Sequence, residues 1–130
     1  MADWFSIRKD LRATLVGVSG LPSVVAYENV ESNPGNAAHV VENLIPVEER
    51  PSGSGTIEQR GIYQITLVYP IKSGTKNAED VIDNILAAFA PASSHGTTCR
   101  VDRAERNPPV IDGQFYRLPV SVTWRAYSTY

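Results

Sequence analysis

Hydrophobic positions along this chain follow two different periods, and the switches between them mark out the elements. Trp4, Ile7, Leu11 and Leu15 recur at steps of three and four, which places them on one face of a helix. Asp3 stands where a cap is needed and Gly17 where a helix ends. The spacing therefore predicts a helix over Trp4–Val16, with Arg8, Lys9 and Arg12 on its wet side. The β-branched and aromatic run Val24–Asn29 predicts a strand, and Asn33-Pro34-Gly35 a turn after it. A second strand is expected from His39 to Glu48. Pro46 within it cannot donate to a ladder, so that position marks an edge, a bulge or a strand end. Glu49–Thr56 is rich in Gly and Ser and too short for an interdomain linker, which makes it a hairpin tip or exposed loop.

The next stretch alternates cleanly. Ile57, Gln59, Gly61, Tyr63, Ile65, Leu67 and Tyr69 share one face, and Glu58, Arg60, Ile62, Gln64, Thr66 and Val68 the other. Such a strand would be about 43 Å long at ~3.3 Å per residue, more than a small domain covers, so part of it should project as a ribbon or meet a neighbouring subunit. Ala78–Ala90 returns to the helical period. Val81, Ile82, Ile85, Leu86 and Phe89 form a stripe opposite Glu79, Asp80, Asp83 and Asn84, with Thr75 or Asn77 as cap and Pro91 as stop. After a small-residue loop, Thr98–Arg106 alternates Cys99, Val101 and Arg103 against Arg100, Asp102 and Ala104. The final strand turns Tyr116, Leu118, Val120, Val122, Trp124 and Ala126 one way and Arg117, Ser121, Thr123 and Arg125 the other; Pro119 again suggests an edge or bulge. The pattern predicts one α+β domain over residues 1–130. Its antiparallel-rich sheet carries two helices packed on one face, in the order α-β-β-β-α-β-β.

Composition narrows the class without adding chemistry. With 130 residues, 42% hydrophobic and 20% charged, the chain is long enough to bury a core without disulfides or metal. A net charge of −2 lacks the basic excess of a phosphate-binding domain. Cys99 is the only cysteine, so no intrachain disulfide forms and synthesis in a reducing cytoplasm is expected. Met1–Ser6 has neither a basic nor an apolar leader region, and no apolar run approaches the roughly 20 residues of a membrane span, so no membrane partner is expected.

Candidate chemistry is thin. His39 and His95 are far apart and sit in no metal-ligand spacing. Ser94 beside His95 has no nucleophile elbow around it. Gly53–Thr56 and Ser73–Lys76 lack the phosphate-loop frame. The acids of the second helix read as a solvated face, and Cys99 as a small buried hydrophobe. Arg100, Arg103, Arg106, Arg117 and Arg125 are interspersed with Asp102, Glu105 and Asp112, as in a self-neutralised protein interface. Tyr127 and Tyr130, on a polar terminus, are of the kind that interfaces favour. No catalytic residue, cofactor or metal is expected, and the chain does not read as an enzyme.

One stretch carries a resemblance. Arg60, Gly61, Gln64, Pro70 and Gly74 follow one another between a leading amphipathic helix and a helix ending in Phe89, and a long last strand finishes in aromatics. In this arrangement, over nearly its whole length, the chain resembles the tail terminator (tail completion) proteins of long-tailed bacteriophages. The resemblance implies a structural protein with no active site. It further implies a homohexameric ring that caps the tail tube, ends tube polymerisation and gives the head connector or stopper protein a surface to attach to. The partners it implies are further copies of the chain, the tube protein and the connector. No specific nucleic-acid recognition is implied, although DNA could pass through the ring. The location implied is the head-proximal end of the tail in the virion, after synthesis in the bacterial host cytoplasm.

Rivals remain. Another head–tail joining or minor tail protein is the nearest, and a small nucleic-acid- or ligand-binding α+β module belongs to another class. For contacts between subunits or rings, projected exposure points to Arg50, Ser52, Gly53, Ser54 and Gly55 in the loop, and to Arg60, Gln64 and Thr66 on the strand.

Overall fold

The computed structural model describes residues 4–21, 24–26, 38–51, 53, 55–70, 76–95, 99–113 and 115–129. Its elements are α1 (Trp4–Val16), β1 (Val24–Ala26), β2 (His39–Pro51), β3 (Thr56–Pro70), α2 (Lys76–Ala88), β4 (Ser94–His95), β5 (Cys99–Arg106), β6 (Val110–Asp112) and β7 (Phe115–Thr129). The helix–strands–helix–strands sequence is the expected one, with the short strands β4 and β6 added to it. The sheet runs β1-β2-β3-β7-β5-β4, and β6 pairs with β7. Every pairing is antiparallel except that of β1, which lies parallel to His39–Val41. The rest of the expected Val24–Asn29 strand, the Asn33-Pro34-Gly35 turn and the caps Asp3 and Thr75 lie outside the described residues, as does the side chain of Asn77.

Alternation explains how the layers meet. Val40 and Leu44 of β2, Tyr63, Ile65 and Leu67 of β3 and Leu118, Val120, Val122 and Trp124 of β7 all turn to one face. Against them pack Ile7, Leu11 and Leu15 of α1 and Ala78, Val81, Ile82 and Ile85 of α2, joined by Phe89 just beyond that helix. Burying each large side chain contributes about 1.5–3 kcal/mol before entropy is counted, so both helices are held by their stripes rather than by propensity. Tight turns finish α1: the Gly17 N–H donates to the Thr14 carbonyl at 3.2 Å and that of Val18 to Leu15 at 3.0 Å. Gly17 follows the last helical residue as expected, and the left-handed residue of the turn is Gly20 (φ 82).

Strand β3 is as long as its alternation implies, and β7 answers it residue for residue from Thr56↔Thr129 to Pro70↔Phe115. At the hairpin end the sheet is therefore three strands wide, β2–β3–β7. Its free margin is the distal half of β2, where all of Ile45–Pro51 is exposed. Two prolines find their reasons here. Pro46 stands at a bulge, the register shifting between Pro46 and Glu48. Pro119 lies in an interior strand, but at the gap where β5 has ended (Arg106↔Val120) and β6 has not begun (Val110↔Arg117). Its carbonyl accepts from the Asn107 N–H at 2.9 Å on that side, so the missing N–H costs the β3 ladder nothing.

Two further expectations are corrected. A second bulge, between Val101 and Arg103, flips the end of β5, so Ala104 packs on the core and Arg103 is exposed. Arg12 is not simply on the wet side of α1. It reaches the sheet and pairs with Glu42, which keeps phase with Val40 and Leu44 and is fully buried. Arg12 Nε donates to Glu42 at 3.1 Å, and the Tyr63 hydroxyl donates to its other oxygen. Burial and then the bond to Glu42 raise the Tyr63 phenol far above its ordinary value, so the proton stays on the phenol.

Candidate assembly surface

The same alternation that fills the core leaves a second sheet face without a helix over it among the described residues. Ile62, Gln64, Thr66, Ser121 and Thr123 are half-buried there, open to a partner on one side. Register ties this face into cross-sheet rows. One runs Glu48–Arg60–Arg125–Arg100, the next Ile45–Ile62–Thr123–Arg103, and the next Asn43–Gln64–Ser121–Glu105. Beyond the first lies Arg50–Glu58–Tyr127.

Three arginines abreast repel one another, and carboxylates from adjoining positions hold two of them, Arg60 and Arg125. Glu58 pairs with Arg60 and, at 3.7 Å, with Arg50; Arg50 also reaches Glu48 at 3.5 Å. Burial pushes the Glu58 carboxyl up, but the hydrogen bond and charge of Arg60, the charge of Arg50 and the Tyr127 hydroxyl together hold it below its ordinary value. Arg125 Nε donates to Asp102 at 2.7 Å, and another of its nitrogens reaches the Tyr127 hydroxyl at 3.5 Å. Arg103 lies 3.9 Å from Glu105, and Arg106 clasps Glu79 of α2. Arg103, Arg106 and Arg125 are thus neutralised within the chain. Arg100 is exposed and has no ion pair among the described residues. It lines a depression of about 610 Å³ together with Pro91, Ala92, Val101, Asp102, Arg125 and Tyr127. Ala92 holds a left-handed φ of 67 there, a conformation costly for a residue with a Cβ.

The residues singled out in the sequence do not form one patch. Arg50 and Arg60 meet through Glu58, whereas Gln64 and Thr66 lie further along the open face, Thr66 about 27 Å of strand from the Glu58 row. Gly53 (φ 128) and Gly55 (φ 72) form the tip of the β2–β3 hairpin in conformations that favour glycine. Ser52, Ser54 and Tyr130 lie outside the described residues. Val47, the extra residue of the β2 bulge and 63% exposed, went unnoticed in the sequence, although Pro46 beside it was the signal.

The histidines have structural surroundings. His39 meets the Phe115 ring edge-on at 5.8 Å. His95 is buried between Thr14 Oγ1 (2.8 Å from Nδ1) and Ser93 Oγ (2.9 Å from Nε2), while its neighbour Ser94 is exposed. Among the described residues no group of three or more His, Cys, Asp or Glu is arranged to hold a metal. Burial holds the His95 imidazole below its ordinary 6.5, against the opposing pull of Asp10. The unfolded chain therefore takes up this proton first as pH falls, and stability should drop as pH descends through 6.5. His95→Gln is expected to remove that part of the slope. Melting temperatures between about pH 7 and pH 5.5 should then fall less steeply than in the wild type, and equal slopes would refute the assignment.

Comparison with known proteins gives a family and a fold. One solved structure superposes with a TM-score of 0.65 at 21% identity, covering 95% of this chain and 96% of its own. A chain from the virion of a native gene transfer agent particle superposes with a TM-score of 0.59 at 16% identity, covering 94% and 92%. No curated protein matches the chain. The family model for phage tail terminator proteins matches residues 6–124, from α1 to Trp124 of β7. The chain belongs to the phage tail terminator protein family.

Proposed function

We propose that copies of this chain form a hexameric ring that seats on the last ring of the tail tube, ends its polymerisation and offers its other side to the head connector. Membership of the tail terminator family over residues 6–124 carries this reading and supports a structural role in a phage tail. The occurrence of a similar fold in the virion of a gene transfer agent fits a place in the virion, and the reading puts that place at the head-proximal end of the tail.

The mechanism is steric and needs no cofactor. A ring covers the growing face of the tube and replaces it with a face that does not accept another tube subunit. Arg50, the hairpin tip with Gly53 and Gly55, and the Arg60, Gln64 and Thr66 face are the proposed contact surfaces. Their side chains are exposed or half-buried, and the charged ones are neutralised locally. Near-neutral pairing of this kind favours a protein partner over the phosphate backbone of nucleic acid.

The test is reconstitution with the cognate tube protein. Substoichiometric amounts of this protein are expected to stop tube growth and to appear in negative stain as a cap at one end. Tubes that lengthen at the same rate with and without it would overturn the proposal.

A further inference from the structure

We infer that neighbouring copies of this chain meet edge to edge, the β2 margin of one seating in the depression beside β5 of the next. This rests on the ring reading and names the surfaces that close the ring. β1 covers β2 only at His39–Val41, so the outer edge from Glu42 to Pro51 has no strand on it among the described residues. At its bulge that edge presents Val47, an apolar knob that belongs to no cross-sheet row, followed by the exposed Glu48 and Glu49. Glu49 has no ion pair among the described residues.

Towards the other margin of the sheet the depression offers the counterpart: the exposed Pro91 and Ala92, and Arg100, which has no ion pair among the described residues. Within one chain the two halves stand apart, because β3 separates the β2 margin from the β7 and β5 residues that line the depression. Every copy carries both, and their charges are opposite, which makes a second copy the fitting occupant.

Register adds the geometry. Glu48 and Arg100 are the two ends of the row Glu48–Arg60–Arg125–Arg100, so knob and depression stand at the same level along the strands. Joining equal levels requires rotation and no slide along the strand direction. A heterologous contact without a rise closes into a ring, whereas one with a rise builds a filament. Pro46, the bulge and the glutamates blunt β2 against adding a strand, so the joint is a knob in a depression with a charged rim rather than a continuous sheet.

The experiment measures particle mass by light scattering over a concentration series of the full chain, with negative-stain imaging of rings alone and on tube ends. Glu49→Lys and Arg100→Glu are each expected to raise the concentration for half-assembly at least about tenfold, as is Val47→Glu. The exchanged pair Glu49→Lys/Arg100→Glu is expected to return to within about threefold of the wild type, because each copy then offers the reversed charge on both halves. All these side chains are exposed, and unchanged melting curves separate lost assembly from lost folding. Single variants that assemble like the wild type, or an exchanged pair that recovers nothing, overturn this inference and leave the ring standing. A wild-type chain that stays monomeric even in the presence of tube ends overturns the ring and this inference together.

Discussion

Gly61→Ala is expected to destabilise the protein by about 2–3 kcal/mol, at the upper end of what one added methyl does to a packed interior. A Cβ at this position would lie 2.7 Å from the Ile45 carbonyl oxygen and 2.7 Å from Trp124 Cζ2, with Cε2 at 3.0 Å. The first neighbour is backbone in a paired strand, and the second is the edge of a fully buried indole, so neither gives way freely. Gly61 is opposite Pro46 on one side and Trp124 on the other, and the missing side chain is the space the indole occupies. Its φ is not among the left-handed ones, so room rather than backbone freedom explains the glycine. The loss should appear as a fall in melting temperature of about 10 °C, for a domain between the small and large size classes. A variant melting within about 2 °C of the wild type would show that the sheet opens to accept the methyl. Combined with Trp124→Ala, the cost should be less than the sum of the two, because removing the indole removes half of the clash.

Gly61 also shows how far the sequence could be read. The resemblance singled out Arg60, Gly61 and Gln64 as a group, yet their reasons differ and only three dimensions separate them: Gly61 gives way to Trp124, Arg60 is clasped by Glu58, and Gln64 faces a polar row with Ser121. Period alone located α1, β3, α2 and β7, because each keeps one phase along its whole length and hydrophobic burial enforces it. It failed where the phase breaks inside an element. The bulge near Asp102 turned Arg103 outward and Ala104 inward, and the prolines marked irregularity without saying whether it lay at an edge, a bulge or a gap between partners. The short strands β4 and β6 carry too few residues to show a period. The candidate assembly surface was legible only in part. Exposed charges are visible in a sequence, but the row that places Glu48 level with Arg100 is a product of register across four strands.

The buried Glu42 is the second place where a single change should matter greatly. Arg12→Met is expected to cost about 2–3 kcal/mol, because it strips the cation from a carboxylate that has no access to water. The figure lies below the usual cost of breaking a buried pair because the Arg12 side chain is 28% exposed and partly screened by solvent. Glu42 would be left with the Tyr63 hydroxyl alone, one donor for a group with four acceptor sites. If uncompensated charge is the cause, removing the charge as well should recover most of the loss. The triple variant Arg12→Met/Glu42→Leu/Tyr63→Phe should then stand within about 1–2 kcal/mol of the wild type in urea unfolding, and above Arg12→Met alone. A triple variant no better than the single one would mean that the guanidinium contributes by packing α1 against the sheet through its aliphatic stem. The polar contacts would then be incidental to stability. The two outcomes also separate what fixes the position of α1. Ile7, Leu11 and Leu15 hold the helix to the sheet in either case, and Arg12 to Glu42, like Thr14 to His95, adds a directed polar contact between α1 and the strands.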